Sequence, residues 1–342
     1  MNAVTANCID SFEVKRMKLR GTVRCLFSVL GMILMILDTD TALKGANEGI
    51  ASCIGTVIPS LLPFLLLSSL LNGSIASDGG RMPDRLLRVV GLPKGTGHIL
   101  VSAVLGGYPA GAQAVYDAYS HGSIPKKDAQ LLLAYTNNAG PAFIFGLVGH
   151  MFSSVSAAWF LWGIHLISAF LVRLTVGPSV YAPARVRNGK KRPGASVIST
   201  AKTMCTICIW VIAFKIITAY LHAWTNEWMP PIARTLIFGS LELVNGCCTL
   251  QELRDIRIRF IACSAILAFG GLCVLMQTAT IVRELGTGHY LFGKMLQTVF
   301  SIAISSALIF GKWHLLATAT APVAYFLVRM KNKGGNQATI SV

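Results

Sequence analysis

The sequence predicts an all-α, polytopic membrane protein made of two repeats, read as inverted, each with discontinuous or re-entrant helices. Three observations predict it. The 342 residues are 54% hydrophobic and only 13% charged, with a mean hydropathy of +0.61, whereas a soluble domain carries about 25% charged residues. Continuous apolar segments of about 20 residues recur, the length that crosses a bilayer as a helix, and no β-type alternation runs through them. Two of these segments are broken near their middles, and a similar pair returns in the second half.

Residues 1–22 form a polar tail with Lys15, Arg16, Lys18 and Arg20, followed by an apolar run from Cys25 to Leu37. Basic residues before an apolar run resemble a signal peptide. The run ends in Asp38 and Asp40 without a small-residue cleavage site, so it reads as an uncleaved first helix with a cytoplasmic N-terminus. Residues 42–75 are divided by Pro59 and Pro63. A proline removes a backbone donor and disfavours helix at the residue before it. This run is either two crossings in a bent hairpin or an interfacial helix leading into one crossing.

Residues 76–96 are loop-like, with RLLRVVG as a short interfacial turn. The first broken segment follows, GHILVSAVLGGYPAGAQAVYDAY, then a loop with Lys126 and Lys127, then the second, LLLAYTNNAGPAFIFGLVG. Ser154–Val176 is a plain membrane helix and completes the first repeat, 23–176. Residues 177–196 form a basic linker with Arg185, Arg187, Lys190, Lys191 and Arg192, placed in the cytoplasm by the positive-inside rule.

The second repeat, 197–329, recapitulates the plan. Val197–Trp224 is a long apolar helix containing Lys215. Ile232–Leu250 holds LELVNG, a loop carries Arg254, Arg257 and Arg259, and Phe260–Val282 holds FGGLCVLMQ. One or two final helices lie within 291–311 and 313–328, ahead of a polar tail, 330–342. Charge counting does not fix the topology: one basic loop or the tail breaks the rule, or one element is re-entrant, as a broken segment would be.

Composition excludes several function classes. The net charge of +16 sits in tails and loops between apolar segments, so nucleic acid is not a predicted partner. Most of the nine cysteines lie inside apolar stretches; Cys205 and Cys208 form a CxxC without a second ligand pair. Cysteine as a small helix packer is the simpler reading. His98, His150 and His165 lack metal-ligand spacing. No phosphate-binding loop and no nucleophile–base set is visible. No cofactor, no metal and no enzymatic activity are therefore expected.

The breaks carry the functional argument. Gly106, Gly107, Pro109 and Gly111 cut the first segment; Asn137, Asn138, Gly140 and Pro141 cut the second. Helix breakers at membrane depth free backbone groups that lipid cannot satisfy, so they survive only inside protein or beside a watery cavity. Paired broken segments are the best sequence pointer to a transport site.

GGYPAGAQAV, LLLAYTNNAGPAFIFGLVG, SLELVNG and FGGLCVLMQ resemble the sporulation integral membrane proteins of the YlbJ type, over roughly residues 20–330. The resemblance implies two nucleoside-recognition (Gate) domains, which also occur in concentrative nucleoside transporters and in the membrane domain of ferrous-iron transporters. It implies an inverted-repeat helical transporter in the cell membrane. For sporulation members it implies export of dipicolinate toward the developing spore.

Candidate substrate-binding residues are Gly107, Tyr108, Pro109, Gln113, Thr136, Asn137, Asn138, Gly140 and Pro141 in the first half. In the second half they are Glu242, Asn245, Gly270, Gly271 and Gln277. Each has a plainer alternative. Glu242 is the only carboxylate well inside an apolar segment of its half, and an embedded ionisable group is a site candidate by default; the alternative is an interfacial position. Thr136, Asn137 and Asn138 either touch substrate or cap a helix starting at Pro141. A capped half-helix start aims backbone N–H groups at an anion, which suits a dicarboxylate better than a neutral nucleoside. The glycines either admit substrate or pack helices. Tyr108 stacks on a ring or simply packs. Gln113 and Gln277 follow the breaks. Lys215 is either an anion counter-charge or snorkels to the interface, the latter being preferred. The sequence thus points to a transporter of a small anionic solute in the lipid bilayer, with a nucleoside or nucleobase transporter, or a non-transporting membrane scaffold, as alternatives. A homo-oligomer is compatible with it.

Overall fold

The computed structural model describes residues 22–77 (Arg24 excepted), 82–177 and 193–321. The tails and most of the linker lie outside these residues. Among the described residues every regular element is helical, as a chain must be if lipid is to find no unpaired backbone.

An apolar helix, α1 (Cys25–Leu37), comes first. Helix α2 (Thr39–Ser52) is N-capped by Asp38, whose carboxylate accepts from the Thr41 N–H. It passes through a π-helical turn, Cys53–Val57, into α3 (Ile58–Ser77). The expected division at Pro59 and Pro63 does not occur: 39–77 is one helical element. In a regular α-helix the Pro59 ring would press on the carbonyl of Gly55, but Gly55 lies in the wider π turn. Pro63 is carried inside α3.

After the short α4 (Asp84–Val89), α5 (Gly97–Val101) continues through a π turn, Ser102–Gly106, to Gly107. There the chain reverses into α6 (Ala110–Ser120). Helix α7 (Lys126–Thr136) unwinds over 137–140 and resumes as α8 (Pro141–Phe143), a π turn (Ile144–Val148) and α9 (Gly149–Phe152). Helix α10 (Val155–Val176) is capped by Ser154 and stopped by Gly177 at φ 86°, a conformation that glycine adopts without strain.

The second half has the same order: a long helix, α11 (Pro193–Thr225), then a hairpin, α12 (Pro231–Leu241) and α13 (Leu243–Thr249). The Thr235 hydroxyl donates to the Thr249 carbonyl across this hairpin at 3.1 Å, and Gly246 rests on Gly239. A broken helix follows, α14 (Ile256–Phe269) and α15 (Gly271–Val282), and then α16 (Gly288–Phe310). Six helical stretches are long and apolar enough to cross a membrane, three within 39–176 and three within 197–310. The first arms of the two hairpins, Gly97–Gly106 and Pro231–Leu241, are shorter apolar helices. The chain is a polytopic helical membrane protein.

Lipid tails are as apolar as leucine, so helices associate here through close van der Waals fit and small residues. Gly45 and Gly49, spaced as GxxxG on α2, meet α11 backbone. A Cβ at Gly45 would lie 2.7 Å from the Ile216 Cα, and one at Gly49 2.8 Å from the Ile212 Cα. Helix α16 shows the inside-out pattern of a membrane core. Lys294, Gln297, Ser301 and Ser305 are buried, while Met295, Val299 and Ile302 are exposed.

Candidate functional site

The four breaks meet at the centre of the bundle. Gly107, at φ +72°, lies against Gly140: a Cβ on Gly107 would come 3.0 Å from the Gly140 nitrogen, and one on Gly140 2.8 Å from the Gly107 Cα. Two backbones cross there with no room for a side chain. The Tyr108–Pro109 bond is cis. Tyr108 projects into the other half, where its hydroxyl donates to the Leu267 carbonyl at 3.2 Å. A Cβ on Gly270, at φ +79°, would lie 3.1 Å from the tyrosine ring. Gly271, at φ +84°, abuts the Leu241 and Gly239 carbonyls. The hairpin tip of each half thus touches the broken helix beside it.

A cavity of about 50 Å³ occupies this centre. The first half lines it with Tyr108, Ala139, Gly140 and Phe143; the second with Glu242, Leu243, Val244, Val274 and Gln277; residues of α3 and α11 close the side. That volume holds water-sized occupants only, since a water needs some 10–15 Å³ by this kind of measure. Pockets for organic ligands are about 300–1,000 Å³. An organic solute therefore enters only if the surrounding walls part.

Glu242 is 2% exposed, so protein groups surround it. Its two carboxylate oxygens accept from the Val244 N–H at 3.0 Å and the Asn245 N–H at 2.8 Å, so it is the N-cap of α13. Asn245 accepts from the Lys215 ammonium and donates to the Thr218 hydroxyl. Lys215 is buried and does not snorkel; the reason is that its ammonium has an asparagine oxygen to bind and the Glu242 charge within electrostatic reach. Asn245 also lines a second, wider cavity of about 270 Å³ with Thr41, Lys44, Glu48, His222 and Cys248. Asn245 alone separates this wider cavity, the vestibule, from Glu242.

The asparagines do different work from a cap on α8, which begins at the Gly140 backbone without a side-chain cap. The Asn137 oxygen accepts from the Ala112 N–H at 3.3 Å, at the start of α6, and its amide donates to the Thr278 hydroxyl at 3.0 Å. The Asn138 amide donates to the Tyr135 carbonyl at 2.8 Å. Thr136 donates within its own helix to Leu132. Gln113 donates to Asp117 on α6 and is not among the residues around the central cavity. Pro141 is the first residue of α8, and Gln277 donates to the Cys273 sulfur at 3.3 Å. Among the described residues no three His, Cys, Asp or Glu side chains converge as a metal-ligand set.

Sequence reasoning missed Lys294. It is fully buried on α16, and its ammonium donates to the Gln297 oxygen at 2.6 Å, the Asn138 oxygen at 3.2 Å and the Tyr108 hydroxyl at 3.2 Å. Its Nζ also lies 5.1 Å from the centre of the Tyr108 ring. Gln297 donates in turn to Asn138 and to the His165 carbonyl, and the His165 ring accepts from the Ala139 N–H at 3.0 Å. The available signal was a lone cation with a glutamine three residues on, inside an otherwise apolar run.

No family model matches the chain, and no solved structure matches it. Among curated proteins it is similar to the sporulation integral membrane protein YlbJ of Bacillus subtilis (strain 168). The identity is 25% over 332 residues, covering 82% of this chain and 81% of the relative.

Proposed function

We propose, from the YlbJ-like sporulation membrane family that this similarity supports, that the chain is a secondary transporter of a small anionic solute. The carrying observation is the convergence of both hairpin tips, at Tyr108 and Glu242, and the first-half helix break, at Ala139 and Gly140, on one small cavity that α15 also lines through Val274 and Gln277. Backbone that leaves the helix at membrane depth needs protein or water around it, and in transporters such breaks flank the solute. We further read the two halves as inverted. Each has three spans and one hairpin whose first arm is a shorter apolar helix; with both hairpins taken as re-entrant, the odd number of crossings reverses the second half relative to the first.

Family resemblance makes dipicolinate the first candidate. The test is movement of labelled dipicolinate by the purified protein in proteoliposomes. Uptake above protein-free vesicles is expected, and its loss when Asn137 and Asn138 are replaced by leucine. Undiminished uptake by that variant would sink the proposed site. Preference for uridine over dipicolinate would favour nucleoside transport, and no movement of either would favour a scaffold.

A further inference from the structure

We infer that Lys294 is the fixed positive charge that receives a carboxylate of the transported solute, and that Tyr108 is the movable wall between this charge and the cavity. The inference rests on the transport reading above and names the group that would make the site select anions.

The charge state follows from hydrogen-bond polarity. Asn138 and Gln297 each give an amide N–H to a backbone carbonyl, of Tyr135 and His165 respectively. A carbonyl only accepts, so these bonds fix which end of each side chain is the oxygen. Those oxygens face Lys294. The single hydroxyl hydrogen of Tyr108 goes to the Leu267 carbonyl, so its oxygen also faces Lys294 as an acceptor. Three acceptors demand three donors, and a neutral amine has only two hydrogens. The three acceptors around Nζ therefore suit the ammonium form of Lys294, against the cost of burying a charge.

Among the described residues no carboxylate forms an ion pair with it; Lys94 pairs with Asp84, Arg234 with Glu252 and Arg257 with Asp255. Lys215 offers the contrast, since it shares its surroundings with Glu242. Neutral dipoles satisfy the geometry of an ammonium, but a buried charge is costly unless it is also paired. A cation held ready and unpaired, fully buried at the crossing of the first-half breaks, suits an arriving anion.

The path to it is short. Tyr108 lines the cavity with its side chain and touches Lys294 with its hydroxyl. It sits between Gly107 and Pro109, outside both helices of its hairpin, so no helical ladder fixes its backbone. Displacing its ring joins the cavity to Lys294.

The experiment uses the purified full-length protein and two probes of the same shape, dipicolinate and its uncharged diamide, in competition binding with labelled dipicolinate. Wild-type protein is expected to favour the dianion at least tenfold. Lys294→Gln is expected to weaken dipicolinate at least tenfold and leave the diamide unchanged, while Lys294→Arg retains the preference for charge. Dipicolinate binding unchanged in Lys294→Gln, or equal wild-type affinity for both probes, overturns the inference while the transport reading stands. Should Lys294→Gln not fold, the wild-type comparison and Lys294→Arg still decide. Uptake assays separate the other failure, since a protein that moves neither dipicolinate nor uridine is no transporter of these solutes.

Discussion

Glu242 fixes both the shape and the charge of its hairpin tip. Both of its oxygens tie down the first N–H groups of α13, and its charge lies near a buried lysine. Truncation to alanine removes the cap, worth about 1–2 kcal/mol, and leaves Lys215 with less compensation. Glu242→Ala is expected to lower the thermal unfolding midpoint in detergent, and Glu242→Gln, which keeps one acceptor oxygen, to lower it less. Equal midpoints for wild type and Glu242→Ala would refute the capping role. The carboxylate was legible in the sequence because an acid amid apolar residues stands out. Lys215 and Lys294 were harder to read. A lysine in an apolar run either reaches the interface with its long stem or stays buried on polar partners, and those partners, Asn245 for one and Asn138 for the other, come from distant segments.

At the level of elements, the breaks were visible because glycine, proline and asparagine punctuate helices by local chemistry. The crossings between elements were not visible, since a glycine that packs helices and a glycine that faces nothing look alike in sequence. Gly293 lies on the Ala134 backbone, so any side chain there would push α16 from α7; a Cβ at Gly163 on α10 would meet nothing within 4 Å. Gly293→Ala is expected to cost about 1–3 kcal/mol through overpacking, and Gly163→Ala to be neutral or slightly stabilising. Thermal unfolding of the two purified variants makes the comparison, and equal behaviour would contradict the packing described. The first hairpin tip falls where the sequence is cut, near Gly107; the second, at Glu242, lies inside Ile232–Leu250, which reads as one segment. The continuity of 39–77 was hidden because a π turn absorbs a proline that would otherwise divide the helix.

For the whole molecule, the inverted arrangement proposed above would account for the failure of charge counting. The loops after the two hairpins, one leading to Lys126 and Lys127 and the other holding Arg254, occupy equivalent places in the two halves. If the halves are inverted, as we propose, these loops face opposite sides of the membrane and cannot both obey the positive-inside rule. The second is partly neutralised: Arg257 pairs with Asp255 at 3.0 Å, and hydrogen bonds from Arg257 hold the Asp255 carboxyl below its ordinary range. Arg259 donates to the Leu253 carbonyl at 2.6 Å. With the linker in the cytoplasm, the inverted arrangement we propose would put the first loop in the cytoplasm and the vestibule on the opposite side. Cys248 is exposed and lines that vestibule. An impermeant maleimide added to intact cells is expected to label a variant whose sole cysteine is Cys248. A His121→Cys variant without other cysteines should react only after the cells are opened. The same sidedness for both would overturn the inverted arrangement.

The vestibule also has an electrical consequence. Its wall includes Asn245, whose backbone N–H is bonded to Glu242; filled with water and open to one face, it would carry a conducting phase to within a residue of the cavity. A membrane potential would then fall mainly across the insulating remainder. One charge crossing a full 100 mV drop is worth about 2.3 kcal/mol. An unprotonated dicarboxylate carries two charges, so voltage would weigh most heavily on its step past Lys294 and little on its approach through the vestibule.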